Sequence, residues 1–222
     1  MRKRIDATCA SLRHRPGVVG GRSPDPEPGK LDAPMPIDRK AAANAIDAFL
    51  RAIGRDPSAE PDLVGTGARV ADAFADELCA GYAVDTRKLL AASAIAGASD
   101  GIVIVRDVPV TTMCPHHLLP ASGTATIAMQ TRGRLVGLGT LASLVEAHAR
   151  RLTLQERIGE GVVADIASVL EPEWVGCRLV LVHGCMVARG ERAIGTHVET
   201  VALHGATGDV VARAHAALGV GR

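Results

Sequence analysis

Aromatic side chains are nearly absent: one Trp, one Tyr and two Phe, 2% of 222 residues. Proteins that hold single-stranded nucleic acid stack bases on aromatic platforms, so the composition speaks against that class. An excess of charge is missing as well. Lys and Arg number 25 against 24 Asp and Glu, a formal +1, whereas binding a phosphate backbone needs a clear basic surplus. No nucleic-acid partner is expected. The chain also lacks a run of about 18 apolar residues and an N-terminal signal-peptide core, so no membrane partner is expected and the expected location is cytoplasmic. Finally, there is no even cysteine framework. Cys9, Cys79, Cys114, Cys177 and Cys185 form an odd set, which points to thiols or metal ligands rather than disulfides.

What is present is 47% apolar residues, enough for a core built from Ala, Val, Leu and Ile. Residues 1–36 are rich in proline and without hydrophobic period, and are expected to form a flexible N-terminal arm. The folded domain is expected over residues 37–222, with a helical part at 37–100 and a core at about 101–206. "DRKAAANAIDAFLRAIG" has helical apolar spacing, with Asp38 as N-cap and Gly54 as stop. A second helix is expected from a Thr66 cap to Gly81. "GIVIVRDVPVTT" and "GTATIAMQT" have the β-branched composition of strands. Two helices ("TLASLVEAHARRL", "QERIGEGVVADIASVLEP"), two more strands ("GCRLVLVHGCMV", "GTHVETVALHG") and a short last helix ("GDVVARAHAALG") follow. This order predicts an α+β fold: an antiparallel sheet with two helices on one face and N-terminal helices before it.

The chemistry concentrates in two places. "MCPHH" offers Cys114, His116 and His117 just after a predicted strand, in a connection stiffened by Pro115 and Pro120. "HGCMVARG" offers His183 and Cys185 at the end of another. In extended backbone residues i and i+2 share a face, so these two are expected to point together. If the strand ends are neighbours, two cysteines and up to three histidines converge. Catalytic zinc takes three protein ligands and keeps one position open. Two thiolates and one imidazole meet that number and leave two histidines for proton transfer.

Competing patterns fail. "HVE" at His197 to Glu199 begins a base-deaminase signature, but no P-C-x-x-C follows. H-E-x-x-H, Walker and G-x-S-x-G motifs are all missing. His148, His204 and His215 have no partners in view and are expected to be ordinary surface or packed residues.

Taken together, "MCPHHLLPASGTATIAM", "RLVGL", "RRLTLQERIGEGVVADI" and "HGCMVARG" resemble, in order and spacing, the motifs of GTP cyclohydrolase I. The resemblance spans residues 62 to 200 or so. It implies the tunnelling fold (T-fold), zinc as cofactor and ring assembly, a homo-oligomer that is a decamer in bacterial members, with active sites between subunits. It further implies hydrolytic opening of the purine imidazole ring of GTP with loss of formate, the first step of pterin biosynthesis. Carried over, it makes Cys114, His117 and Cys185 the metal ligands, and His116 and His183 the proton-handling histidines. Glu156 becomes the guanine anchor with Gln155 beside it, and Arg189 and Arg69 become phosphate-binding arginines.

One segment departs from the family pattern. Where the family has a serine, a lysine and, three residues later, an arginine, "GLGTLAS" has Gly139, Thr140 and Ser143. Two charge-assisted hydrogen bonds at about 1.5–3 kcal/mol each correspond to roughly 10²- to 10⁴-fold in affinity. Compensation is expected from backbone N–H groups at the helix start near Thr140, or from Arg134, Arg150 or Arg151 turning inward. Two alternatives follow: the same chemistry on a less phosphorylated purine, or a zinc-containing protein that binds a purine or pterin without turnover.

Overall fold

The computed structural model describes residues 36–97, 101–190 and 192–221. The expected arm falls on residues 1–36, so all of it but Pro36 lies outside the described residues.

Helix α1 (Arg39–Ala52) begins where the Asp38 carboxylate accepts the Ala41 N–H at 2.9 Å, and Gly54 follows its end with φ 80°. It packs along α2 (Thr66–Ala73). Thr66 is not the cap of that helix. Gly65, at φ 74°, occupies the cap position, and the Thr66 hydroxyl instead accepts a bond from Arg69 Nη2 at 2.9 Å. Nor does the helix run regularly to Gly81: it widens into a π turn at Phe74–Leu78 and tightens into a 3₁₀ turn at Ala80–Ala83. A Cβ at Gly81 would lie 2.2 Å from the Ala147 carbonyl oxygen, so this glycine lets two backbones touch.

Several short elements were not expected from the sequence. Helix α3 (Thr86–Ser93) is capped by Asp85, whose side chain accepts the Lys88 N–H. The short strand β1 (Ala94–Ala96) pairs antiparallel with β4 (Arg134–Val136) in a separate two-stranded sheet. Three-residue strands carry too little periodicity to announce themselves.

The main sheet is antiparallel in the order β2-β3-β5-β6, with β2 Ile102–Met113, β3 Pro120–Gln130, β5 Trp174–His183 and β6 Val198–His204. Side-chain alternation divides its two faces. Ile127, Met129, Leu179 and Leu181 pack with Leu141, Leu144, Ile158, Val162 and Ile166 from α4 (Leu138–Ala149) and α5 (Gln155–Leu170). Ala128, between two of those core residues, faces the other way and meets Trp174, Ala214 and Leu218, the last two on α7 (Asp209–Leu218). The observed layers are those of the expected α+β tunnelling fold, with two helices backing one face of an antiparallel sheet.

Candidate active site

The site lies at one end of the main sheet. β2 and β5 are not neighbours: β3 runs between them, pairing Met113 with Pro120 on one side and Ala121 with His183 on the other. Pro120 is therefore the first residue of a strand, and the connection shortens to Cys114–Leu119. That loop closes on itself. The Cys114 N–H donates to the Leu119 carbonyl at 3.0 Å and the Leu118 N–H to the Cys114 carbonyl at 2.9 Å, with Leu118 held at φ 51°. A left-handed leucine is a strained conformation of the kind found where side chains are held for function.

On the far side of β3, the backbone does not stay extended through "HGCM" as expected. β5 stops at His183 and Gly184–Val187 forms one helical turn, α6. Strand alternation therefore does not continue from His183 to Cys185, which lies on the turn. A Cβ at Gly184 would stand 2.8 Å from the Pro120 carbonyl oxygen, so only glycine lets the turn lie against the start of β3.

These two pieces of backbone bring Cys114, His117 and Cys185 together. One donor atom from each lies within 4.8 Å of the other two, and Cys114 Sγ to His117 Nδ1 is 3.9 Å. Sulfur and nitrogen bound to one tetrahedral zinc at about 2.3 and 2.05 Å stand roughly 3.6 Å apart, so the donor set fits that metal. His116 Nδ1 is also 3.9 Å from Cys114 Sγ, but it does not belong to the three-donor group. Burial pushes the Cys185 thiol pKa up, and the nearby Cys114 adds to the shift. A cation would reverse this, since a coordinated thiol is deprotonated. Arg189 Nη1 lies 3.1 Å from His117 Nε2, and because a guanidinium only donates, this nitrogen accepts.

The family model described as GTP cyclohydrolase I matches residues 42–218. The chain belongs to the GTP cyclohydrolase I family. It is an enzyme of that family. The GTP cyclohydrolase 1 of Chlorobium phaeovibrioides is 34% identical over 206 residues, covering 91% of this chain and 92% of its own. That of Streptomyces coelicolor is 37% identical over 179 residues (80% and 88%), and that of Allorhizobium ampelinum 37% over 169 residues (75% and 83%). Among solved structures, an archaeosine synthase QueF-Like in the apo form aligns with TM-score 0.42 at 18% identity, covering 50% of this chain and 99% of that one.

Other site residues of this cyclohydrolase-family chain fall in three groups. His183, two residues before Cys185 in sequence, is half-buried, and burial lowers its pKa against the opposing pull of the Glu156 carboxylate. Glu156 itself is exposed and lines a cavity of about 420 Å³ between α5 and β6, with Thr200 and His204 among its walls. Gln155, expected beside the guanine, is instead 2% exposed and turned into the protein. Its Nε2 donates to the Leu179 and Val198 carbonyls and to Thr200 Oγ1, and its Oε1 lies 2.7 Å from His183 Nε2.

Arg69 and Thr140 have no described contact with this cluster. The Arg69 guanidinium bonds to the Val64 carbonyl and the Thr66 hydroxyl, and the Thr140 N–H is taken by the Gly137 carbonyl at 2.9 Å. Nor do the three arginines expected to compensate turn inward. Arg134 bonds the Val169 carbonyl and Glu171, Arg150 pairs with Glu77 and Glu146, and Arg151 bonds the Ala147 carbonyl and lies over the Tyr82 ring. Ser143 lines a cavity of about 310 Å³ whose charged walls are Asp76, Glu77, Glu146 and Arg150.

His148, expected to be unremarkable, holds Asp165. The signal was present in the sequence: Ile158, Val162 and Ile166 set the buried face of α5, and Asp165 falls on it.

Proposed function

We propose that this chain hydrolyses GTP to 7,8-dihydroneopterin triphosphate and formate, using zinc held by Cys114, His117 and Cys185. The observation that carries the reading is the convergence of these three donors in a chain of this family. Zinc bound there supplies a Lewis acid and lowers the pKa of water toward 7, the chemistry needed to attack C8 of the purine. The remaining steps belong to the protein. His183 and His116 carry protons to and from the imidazole nitrogen as the ring opens, a role suited to an imidazole, which can both accept and donate a proton. Glu156 pairs with the guanine edge, and a polar site of this kind rejects bases that leave it unpaired. Arg189 serves the phosphates. Arg69 and Thr140, which have no described contact with the cluster within one chain, would serve it from a neighbouring copy in a ring, the decamer being the assembly we propose. No described helix is long and apolar enough to cross a membrane, in keeping with a cytoplasmic enzyme.

A second reading, the same ring opening on a guanine compound with fewer phosphates, is favoured by one set of observations. Gly139, Thr140 and Ser143 carry no cation, and Arg134, Arg150 and Arg151 are engaged elsewhere. A purely binding role is less economical, because it leaves His116 and His183 without purpose beside an open metal position. The test is to incubate zinc-loaded protein with GTP, GMP and guanosine in parallel and assay formate and pterin. Formate with dihydropterin triphosphate from GTP is the expected result. Turnover of GMP or guanosine alone moves the substrate to the second reading, and no formate from any of the three contradicts both.

A further inference from the structure

Gln155 is the first residue of α5, and its buried carboxamide spans β5, β6 and the His183 ring. Its orientation is decided by chemistry. The Leu179 and Val198 carbonyl oxygens, at 3.2 and 3.0 Å, only accept, so the atom facing them must be the NH₂ group. The carbonyl Oε1 then faces His183 Nε2 at 2.7 Å, and as Oε1 only accepts, that ring nitrogen must carry the hydrogen. His183 Nδ1 has no partner among the described residues.

We propose that Gln155 is a positioning residue: it fixes His183 in the Nε2–H tautomer and presents Nδ1 as the nitrogen that exchanges protons with substrate. This rests on the proposed proton-carrying role of His183. An imidazole free to change tautomer or to rotate would offer the wrong nitrogen part of the time, and which nitrogen is protonated is set by the hydrogen bond the other atoms make. Here the setting group is held rigidly. Leu179 and Thr200 pair across β5 and β6, as do Leu181 and Val198, so the amide is clamped by two rungs of the sheet. The same clamp fastens the start of α5 to the sheet, which fixes Glu156 next in sequence. Gln155 thus acts through its neighbours and does not itself meet substrate.

The ¹⁵N spectrum of histidine-labelled, zinc-loaded protein, with His183 assigned by the signal lost in His183→Ala, reads the tautomer directly. The expected wild-type pattern is a protonated Nε2 and an unprotonated Nδ1 in the neutral ring. In Gln155→Met, which keeps the length and removes the acceptor, both tautomers are expected. Its kcat should fall by at least about tenfold, within the 10²- to 10⁴-fold that a positioned proton carrier contributes, while KM for GTP moves by less than about threefold. An Nδ1–H tautomer in the wild type overturns the proposal, as does a Gln155→Met variant whose KM rises with kcat unchanged, the signature of a substrate contact. If that variant does not fold, the wild-type spectrum still decides. Absence of formate from GTP with the wild type would count against the cyclohydrolase reading alone, because the tautomer is read without turnover.

Discussion

His148 Nε2 donates to Asp165 Oδ2 at 2.8 Å, and the two side chains are only 12% and 10% exposed. Thr86 Oγ1 adds a second bond at 2.6 Å and Arg87 Nε a third at 3.1 Å, so one carboxylate ties α3, α4 and α5 together beneath the sheet. Burial on its own would raise the Asp165 pKa, but the bonds from His148, Thr86 and Arg87 outweigh it and hold the value at about 2, below the ordinary 3.8.

The sign of the pH dependence follows. A carboxylate with a depressed folded pKa contributes stability that is present above its unfolded value and is lost as pH falls through the folded one. Between pH of about 4 and 2 the protein should lose about 2 kcal/mol from this group. Asp165→Asn should be less stable at pH 7 by about 2–4 kcal/mol and should flatten the acid limb. Denaturant unfolding of both proteins across this range checks the claim. Parallel pH curves for the two proteins would contradict it.

Gly161, one turn before Asp165 on α5, makes room for the same histidine. A Cβ there would meet His148 Nδ1 at 2.5 Å. Gly161→Ala should therefore destabilise by about 1–3 kcal/mol despite the gain of about 1 kcal/mol expected for alanine in a helix. In a His148→Ala background the clash is gone, and the same substitution should stabilise. A double-mutant cycle by thermal or denaturant unfolding measures this reversal of sign.

The cysteines should divide by environment. Cys177, in the middle of β5, is fully buried and its pKa is pushed up to about 12, so it should resist alkylation in the folded protein. Cys114 and Cys185 should react once metal is stripped and be protected when zinc is restored. Mass spectrometry of alkylated peptides reads all three. Protection of Cys185 that does not depend on zinc would contradict its assignment as a ligand.

Zinc content should separate ligands from proton carriers. Cys114→Ser, His117→Ala and Cys185→Ser should each lose bound zinc. His116→Ala should keep the metal and lose turnover by about 10²-fold or more. A His116→Ala protein that loses zinc instead would make His116 a ligand, in place of or beside His117.

Much of the architecture was legible because periodicity carries it: the long strands and the helices α1, α4, α5 and α7 all have unmixed apolar spacing. What escaped has local causes. "ARVADAFADELCAGY" has one helical pattern, but the chain there passes through π and 3₁₀ turns that no propensity announces, up to the close approach of Gly81 to Ala147. The donor residues could be picked out from C-x-x-H and H-x-C, yet the reason they meet could not. Strand alternation was expected to align His183 with Cys185, whereas the strand ends at His183 and Cys185 lies on a helical turn against Pro120, across an intervening strand from Cys114. Gln155 and Glu156 were read together from their adjacency in sequence, but successive helical residues point to different sides. One lies in the sheet and the other faces the cavity.

The proposed activity is opening of a guanine ring at the Cys114, His117 and Cys185 cluster, with His183 as a proton carrier. The most direct measurement is formate released from GTP by zinc-loaded wild type and His183→Ala, with GTP affinity and zinc content determined on the same samples. The account predicts formate from the wild type, and from the variant a loss of turnover by about 10²-fold or more with affinity and zinc nearly unchanged. Equal formate release from the two proteins would contradict it.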